Sequence, residues 1–256
     1  MYSGMLQRGL SARTVKATHA PLRSALENAV KWRLIPNNPA KLVDLPKQAR
    51  KERLVFNAEQ ARVFLEYAAH DRFNTLWVVL LTTGVRPGEA LGLKWEDLDG
   101  DRLRIRRSLT RTPNGGWELT EPKTPQSRRS VTLPTSAVTS LAAHRAAQAR
   151  DRLRLGPGYQ DQDLIFCTSH GTPLDMPGVT RRHFYPLLEA AGLPRIRVYD
   201  LRHTCATLLL AANAHPKIVS ERLGHSSVTL TMDTYSHVLP TMQDGPAERL
   251  EEMLFG

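Results

Sequence analysis

The sequence predicts a mainly α-helical protein of the α+β class, with a small antiparallel β-sheet inside a helical domain. Two patterns lead to this prediction. Apolar residues recur at helical spacing in residues 11–33, in residues 57–93 and through most of the chain after residue 135. Between these helical segments, residues 102–106 alternate strictly between arginine and aliphatic side chains, which is typical of a strand with one solvated face.

The first predicted helix covers residues 11–33, and Ser11 is its expected N-cap. Three prolines then interrupt the chain, and the charged residues 47–53 that follow suit a linker. We therefore expect a domain boundary near residues 46–54.

After this boundary, Asn57 is the expected N-cap of a helix that runs to about residue 70. Residues 72–82 are nearly all apolar, which indicates a buried helix. Gly84 is expected to end that helix, and Pro87 to begin a short one. The later predicted helices cover residues 135–151, 177–191, 200–213, 215–223, 226–237 and 241–253.

The small sheet is expected to contain three strands, at residues 102–106, 117–120 and 128–133. The segment Pro-Asn-Gly-Gly at residues 113–116 is the predicted turn before the second strand. Residues 164–166 are expected to form a further short strand or an extended segment.

The charge of the chain indicates a polyanionic partner. Its 256 residues, enough for one large domain or one domain and a small appendage, include 35 basic and 25 acidic side chains, a net charge of +10. Residues 1–55 alone hold 11 basic and three acidic side chains. Basic residues that only solvate a surface would be scattered more evenly, so this first segment is expected to face DNA.

The sequence predicts neither secretion nor insertion into a membrane, since it has no long apolar run and no recognisable signal peptide. Cys167 and Cys205 lie in unrelated contexts, which favours a reduced, cytoplasmic setting. The sequence contains no phosphate-binding loop and no cluster of metal-ligating residues. We therefore expect no cofactor and no metal.

Four side chains near predicted helix ends could together bind and attack a phosphodiester: Arg86, Arg202, His225 and Tyr235. Arg86 shares a helical face with Glu89, although a surface ion pair is the commoner result of this spacing. Arg202 lies in the first turn of an apolar helix, where peptide dipoles favour an anion. A cation at that position indicates that a phosphate binds nearby.

Taken singly, the remaining candidates are weak. His225 follows a glycine that ends a predicted helix, where a histidine is more often a cap or a surface residue. A lone tyrosine such as Tyr235 usually belongs to a core or an interface, and His203 is expected to be structural. Asp200 is the expected N-cap of its helix.

Four ordered blocks of the chain together resemble the catalytic domain of the tyrosine recombinase, or phage integrase, family. The resemblance covers roughly residues 54–245. The blocks are T-G-V-R-P-G-E-A-L-G-L-K-W-E-D-L-D (83–99), P-K-T-P-Q-S-R-R-S-V-T-L-P (122–134), D-L-R-H-T-C-A-T (200–207) and L-G-H-S-S-V-T-L-T-M-D-T-Y-S-H-V (223–238).

The resemblance implies a function for each candidate in site-specific DNA recombination by cleavage and rejoining. Arg86 and Arg202 are implied to clamp the scissile phosphate, and Tyr235 to attack it and form a covalent 3′-phosphotyrosyl intermediate. Lys123 is implied to be the general acid for the leaving 5′-oxygen. His225 is implied to donate a hydrogen bond to the phosphate.

Two further positions are implied to support this group. Glu89 is implied to hold the arginines in place. Tyr199 stands where the family has the histidine of its H-x-x-R motif, and a phenol can donate a hydrogen bond there but carries no charge near neutral pH. We therefore expect the protein to remain functional with Tyr199 at this position. Which group serves as the proton shuttle there stays open.

The resemblance also implies the domain organisation. Residues 9–46 resemble the latter part of the family's helical, SAM-like core-binding domain, so we expect residues 1–46 to form a partial domain whose first helices are missing. Residues 47–54 are the implied linker, and residues 55–256 the implied catalytic domain with the DNA breaking–rejoining fold. The residues expected to contact DNA outside the catalytic group are Arg13, Lys16, Arg23, Lys47, Arg50, Lys51 and Arg128.

Two alternatives stay open at this point. The chain could be a truncated integrase that binds DNA with little or no cleavage, or a type IB topoisomerase with the same chemistry. The expected partner is double-stranded DNA, with a homo-tetramer assembled on it. The final predicted helix, 246–255, has an apolar stripe that could pack on its own domain or exchange onto a neighbouring protomer.

Overall fold

The computed structural model describes residues 1–47, 54–121, 128–225, 227–235 and 251–255, and for Leu230 and residues 233–235 it describes the backbone alone. The chain divides into two compact units, Met1–Arg53 and Leu54–Gly256. The α-helices with defined ends are α1 (Tyr2–Gln7), α2 (Ala12–Lys31), α3 (Ala58–Ala68), α4 (Asn74–Thr83), α5 (Pro87–Leu91), α6 (Thr135–Leu155), α7 (Met176–Val179), α8 (Tyr185–Ala190), α9 (Asp200–Ala211), α10 (Pro216–Leu223) and α11 (Val228–Tyr235). The strands are β1 (Leu98–Asp99), β2 (Arg102–Ile105), β3 (Ser108–Arg111), β4 (Trp117–Thr120) and β5 (Arg129–Thr132).

The first unit is built on α2, whose predicted N-cap is confirmed. The hydroxyl of Ser11 accepts a hydrogen bond from the backbone N–H of Thr14 at 3.2 Å. Helix α1 was not predicted, because six residues are too few to show helical periodicity. It is attached to α2 by a hydrogen bond of 3.0 Å between the hydroxyl of Tyr2 and Nδ1 of His19.

The chain after α2 folds back along it. The side-chain amide of Asn38 donates to the carbonyl of Arg23 and to the carboxylate of Glu27, at 2.9 and 3.0 Å. Of the apolar face that was predicted for α2, Val15 and His19 are buried. The assignment of this unit to a core-binding domain stays a prediction.

Helix α4 forms the centre of the second unit, as its apolar sequence predicts. Leu76, Trp77 and Leu80 are almost completely buried in it, and Phe64 and Phe184 pack edge-on beside it with ring centres 5.5 Å apart. Helix α4 ends at Gly84, as predicted. The predicted N-cap of α3 is confirmed as part of a capping box with its third residue.

The strands form two antiparallel sheets, one of three strands and one of two, whereas a single three-stranded sheet was predicted. Strand β2 lies between β1 and β5, with Leu103 opposite Val131. Strand β4 pairs with β3, which was not predicted, in a separate antiparallel hairpin across the predicted turn at residues 113–116. The missed strands β1 and β3 are two and four residues long, too short to show alternation.

The helices predicted at 135–151, 177–191, 200–213 and 215–223 are confirmed within a few residues of their ends. Helix α11 covers the described part of the helix predicted at 226–237, and most of the helix predicted at 241–253 lies outside the described residues. Helices α7 and α8 are joined by a π-helical turn, Thr180–Phe184. The prediction that Asp200 caps α9 is wrong. Tyr199 occupies the N-cap position, and the Asp200 carboxylate instead accepts hydrogen bonds from the backbone and guanidinium of Arg197. The strand or extended segment predicted at residues 164–166 is not formed as such: Leu164 makes an isolated bridge with Lys94, and residues 165–166 form a bend.

Two further findings concern membrane spans and the end of the chain. Among them, no helix is both long and apolar enough to cross a membrane. Residues 251–255, at the end of the predicted final helix, are helical and exposed.

Candidate active site

The turn between α4 and α5 positions the first arginine of the site. Gly84 ends α4 with φ +66°, and a Cβ at this position would lie 2.5 Å from Cδ2 of Leu223. The chain then enters α5, where Arg86 and Glu89 face each other. The guanidinium Nη1 of Arg86 donates to Oε1 of Glu89 at 2.7 Å, and the backbone N–H of Arg86 donates to Oε2 at 2.9 Å.

A second guanidinium binds the same carboxylate. Arg129 on β5 donates from Nη2 and Nη1 to the two carboxylate oxygens of Glu89, at 2.9 and 3.2 Å, and both side chains are buried. Its Nε donates to the carbonyl of Arg222 at 2.7 Å. Sequence reasoning missed Arg129 and chose its neighbour Arg128. The alternation of the strand could have found it, since Arg129 lies two residues before the buried Val131.

These contacts keep Glu89 ionised. Burial alone would raise the pKa of the carboxyl, but the hydrogen bond and charge of Arg129 and the contacts of Arg86 lower it below its ordinary value. Glu89 therefore acts as a fixed anion that orients two guanidiniums, a stronger arrangement than the surface ion pair that spacing alone suggests.

Arg202 on α9 is the most deeply buried cation of the group, with 1% of its surface exposed. Its Nη1 donates to the carbonyl of Gly84 at 2.8 Å. Its Nε and Nη2 are buried and have no hydrogen-bond partner within the described structure. Burial, followed by the nearby charge of Arg86, lowers the pKa of Arg202 to about 10, so the group stays cationic at neutral pH.

Unpaired buried donors are costly, and two on one guanidinium point to an anion that belongs there. A phosphate oxygen accepts two parallel N–H groups of a guanidinium with good geometry. Arg202 therefore provides a buried edge of two unpaired donors, near enough to Arg86 for their charges to interact.

The turn between α10 and α11 brings the histidine to the same place. Gly224 adopts a left-handed conformation, φ +66°, and its carbonyl accepts a hydrogen bond of 3.3 Å from Nη2 of Arg86. The Nδ1 atom of His225 lies 2.7 Å from the hydroxyl of Thr231. Burial and the charges of Arg202 and Arg86 lower the pKa of His225 to about 4, so its imidazole is neutral at pH 7.

Tyr199 lies at the start of α9, three residues before Arg202. It is 40% exposed, and its ring packs edge-on against His203 at 5.5 Å. His203 is buried, and the structural role expected for it stays a prediction.

The structure thus gathers Arg86, Glu89, Arg202 and His225 through direct contacts or mutual charge effects. Helix α11 ends at Tyr235, whose side chain lies outside what the structure describes. Lys123 also lies outside the described residues. Within the described ranges, no group of His, Cys, Asp and Glu side chains is arranged to hold a metal ion.

The remaining predicted DNA contacts are exposed where the structure describes them. Arg13, Lys16 and Arg23 are exposed on α2 of the first unit, and Lys47 is exposed after it. Arg128 is exposed and forms an ion pair with Glu121. The predicted contacts Arg50 and Lys51 lie outside the described residues.

The sequence profile of the phage integrase family matches residues 54–242, which is most of the chain. The chain belongs to the phage integrase family. The predicted family is therefore confirmed. So is the predicted activity, because members of this family are tyrosine recombinases, enzymes that cleave and rejoin DNA in site-specific recombination.

Curated tyrosine recombinases and integrases align with nearly the whole chain. A XerC-like tyrosine recombinase of Caldanaerobacter subterraneus is 30% identical, with 98% of this chain and 69% of the relative aligned. The ICEBs1 integrase of Bacillus subtilis is also 30% identical, over 98% of this chain and 68% of the relative.

Solved structures confirm the predicted fold class of this phage integrase. The Tn1549 transposon integrase, in complex with a circular intermediate DNA, superposes with a TM-score of 0.80 at 22% identity, over 98% of this chain and 83% of the other. A lambda integrase dimer bound to a core site gives a TM-score of 0.62 at 19% identity, over 92% and 77%.

Proposed function

We propose that this integrase uses the cluster around Arg202 to cleave DNA through Tyr235. The phenol of Tyr235 releases its proton to solvent as its oxygen attacks the phosphorus, and the bond to the 5′-oxygen breaks as a 3′-phosphotyrosyl ester forms. The leaving 5′-oxygen takes a proton from Lys123. In strand exchange, a 5′-hydroxyl attacks the ester and returns a proton to Lys123, and the tyrosine oxygen leaves and takes a proton from solvent. Because the bond is conserved, the steps balance without ATP.

The observation that carries this proposal is the pair of unpaired donors on Arg202. Attack on a phosphodiester adds negative charge to its non-bridging oxygens, and fixed guanidiniums stabilise that charge without reorganisation. At an effective dielectric constant of about 20 and a separation of about 4 Å, one such contact contributes on the order of 4 kcal/mol. A difference of that size corresponds to nearly three decades in rate.

The partner that we propose is double-stranded DNA. The support is the net charge of +10 and the likeness in fold to an integrase that was solved with DNA. The exposed basic residues of the first unit are assigned to the DNA backbone, where they contribute affinity through counterion release and carry no sequence information.

The test is a nicked suicide substrate drawn from DNA that flanks the integrated element. The wild-type protein is expected to become covalently attached to the labelled strand, seen as a shifted band on a denaturing gel. Tyr235→Phe removes only the attacking hydroxyl and is expected to abolish that band while DNA binding stays. An adduct that persists in this variant would show that another residue is the nucleophile.

The same assay addresses the requirement for a metal. If side chains alone carry the chemistry, cleavage continues at an unchanged rate in excess EDTA. Loss of cleavage in EDTA that magnesium restores would contradict the proposed use of Arg86, Arg202 and Lys123 in these roles.

The alternative of a DNA-binding remnant has no specific observation in its favour, since Arg86, Glu89, Arg202 and His225 form an organised site that pure binding does not need. It predicts binding without an adduct in the same gel. A type IB topoisomerase would form the adduct but relax supercoiled DNA that lacks a specific site, so relaxation of a plasmid without the site separates the two activities.

For assembly, we propose that protomers exchange their C-terminal helices in a tetramer on DNA. The second unit has an apolar cleft of about 880 Å³ with Leu81, Leu133 and Leu208 among its walls. Met253, Leu254 and Phe255 are largely exposed in the described structure, so this stripe is free to cover such a cleft on a second copy. Packing on the same protomer is the competing arrangement.

Gel filtration with and without site DNA distinguishes these arrangements. Exchange predicts that truncation after residue 249 lowers the oligomeric state on DNA and leaves the free monomer unchanged. Packing on the same protomer predicts that the truncated monomer itself loses thermal stability.

We place the enzyme in the cytoplasm, where its DNA substrate is available and where Cys167 and Cys205, both free and buried, stay reduced.

A further inference from the structure

Thr231 contacts the candidate histidine from the helix that follows it. Its Oγ1 lies 2.7 Å from Nδ1 of His225, and Thr231 is fully buried in the first turn of α11. This is the hydrogen bond that its hydroxyl makes within the described residues. Sequence reasoning did not select Thr231, because a threonine on a helix has no special spacing.

The direction of this hydrogen bond decides which ring nitrogen serves the substrate. A neutral imidazole carries one proton, on either Nδ1 or Nε2. A buried hydroxyl needs an acceptor for its proton, and Nδ1 is the acceptor within reach of Thr231. If the hydroxyl donates, Nδ1 holds a lone pair and the ring proton lies on Nε2.

The surroundings of His225 favour this arrangement. Burial and the charges of Arg202 and Arg86 keep the ring in its neutral form. A phosphate bound by those arginines offers only acceptors, so the ring must present an N–H toward it. With Nδ1 occupied by Thr231, the nitrogen that remains for a phosphate oxygen is Nε2.

We propose that Thr231 is a positioning residue for strand cleavage, whose hydroxyl donates to Nδ1 of His225 and so keeps the ring proton on Nε2, the atom that donates to the scissile phosphate. This inference rests on the proposed function and on the hydrogen bond to the phosphate that the family resemblance implies for His225. A hydrogen-bond partner on one ring nitrogen orients an imidazole and fixes its tautomer. At metal-bound histidines the loss of such a partner typically lowers activity by about 10- to 100-fold, which gives the scale expected here.

Two variants of similar size separate the hydroxyl from the packing of the side chain. Thr231→Val replaces the hydroxyl with a methyl group, and Thr231→Ser keeps the hydroxyl and removes a methyl group. On a nicked substrate at saturating concentration, we expect cleavage by the valine variant to be about tenfold slower with unchanged DNA affinity. The serine variant is expected to cleave within about twofold of the wild-type rate. Equal rates for the wild-type and valine proteins would overturn the proposal.

Two further measurements distinguish the proposed positioning role of Thr231 from a purely structural one. In a His225→Ala background, Thr231→Val is expected to cause no additional slowing, because the group that it positions is absent; an additive loss would contradict the proposal. The ring ¹⁵N signals of His225 are expected to report the Nε2–H tautomer in the wild type and a mixture in the valine variant. A wild-type ring protonated on Nδ1 would also overturn it.

The proposed function can fail separately in the same experiments. If His225→Ala cleaves at the wild-type rate while Tyr235→Phe forms no adduct, the phosphotyrosyl chemistry stands and the role of His225 does not. If neither substitution changes cleavage, the proposed function itself is wrong. If both abolish cleavage and Thr231→Val is silent, only the present inference is wrong.

Discussion

The buried arginines of the candidate active site and the exposed basic residues of the first unit carry the same charge in opposite environments. Arg202 and Arg129 are buried, and hydrogen bonds to carbonyl or carboxylate oxygens fix their guanidiniums in place. Arg13 and Lys16 project from α2 into solvent. Charge that is buried and fixed can act on one phosphate, whereas charge that is exposed and mobile attracts the DNA backbone as a whole.

The difference also has an energetic side. Three guanidiniums, those of Arg86, Arg129 and Arg202, are gathered around the single carboxylate of Glu89, so the buried cluster has an excess of positive charge. Burial of uncompensated charge is unfavourable for the free protein. The cluster is therefore adapted to the complex with an anion, and its cost to stability is offset only when a phosphate binds.

The largest expected effect follows from removal of the central cation. Arg202→Ala is expected to lower the cleavage rate on saturating DNA by about a thousandfold, because the rate depends on charge stabilisation in the transition state. DNA affinity is expected to fall much less. The free variant is expected to melt no lower than the wild type, since the substitution removes a buried charge with two unpaired donors.

Arg202→Lys is the matched control, since it keeps the charge but cannot present two parallel N–H groups. We expect its cleavage rate to remain far below that of the wild type. Wild-type cleavage by the lysine variant would show that charge alone matters at this position, and wild-type cleavage by the alanine variant would exclude Arg202 from the clamp.

A smaller effect is expected from neutralisation of Glu89. Glu89→Gln keeps the shape of the side chain but leaves two guanidiniums without their anion, so we expect about 1–3 kcal/mol of lost stability and slower cleavage. The folded pKa of Glu89 is lowered below its ordinary value of 4.5. Its ionised form therefore stabilises the fold above that pH, and the contribution is lost as the pH falls through the lower, folded value.

Chemical denaturation between pH 7 and pH 3 measures this contribution. The wild-type protein is expected to lose stability on acidification more steeply than Glu89→Gln, so that the two curves converge at low pH. Parallel curves over this range would mean that Glu89 does not carry the charge assigned to it.

A still smaller, more local effect is expected at Gly224. Alanine there adopts a strained left-handed conformation, and its Cβ would lie 2.9 Å from Nη1 of Arg129. Gly100 is the matched control, because its φ is +59° and the space around its Cβ position is empty. Both alanine variants are expected to lose about 1 kcal/mol of stability from backbone strain. Only Gly224→Ala is expected to slow cleavage, since it displaces Arg129 from Glu89; equal slowing in both variants would contradict this.

The contrast between buried and exposed charge was only partly predictable from the sequence. Helix α4 and the glycine that ends it were predicted, because a long apolar run and a helix-ending residue are local signals. Arg129 was missed, since its partner Glu89 is 40 residues away and their contact depends on the pairing of β5 with β2. The sequence predicted a single three-stranded sheet and not the two sheets observed, because β1 and β3 are too short to show a period.

The candidate site shows the same limit. Family motifs located Arg86, Arg202 and His225, but they gave no indication that Arg202 has two unpaired donors or that Thr231 contacts the imidazole. Both features depend on where helix ends meet in space. Sequence patterns describe one element at a time, so the chemistry of residues was predictable and the hydrogen bonds between elements were not.

The smallest expected effect is at the exposed basic residues of the first unit. Lys16→Ala on α2 is expected to weaken DNA binding and to reduce the slope of log affinity against log salt by about 0.9, the value for one lost phosphate contact. Cleavage on saturating DNA should be unchanged, and Lys16→Arg should keep both the charge and the slope. Filter binding between 50 and 200 mM salt, with single-turnover cleavage in parallel, measures the two quantities. If Lys16→Ala slowed cleavage at saturation, exposed charge would contribute to the chemical step, and the division between buried and exposed cations would not hold.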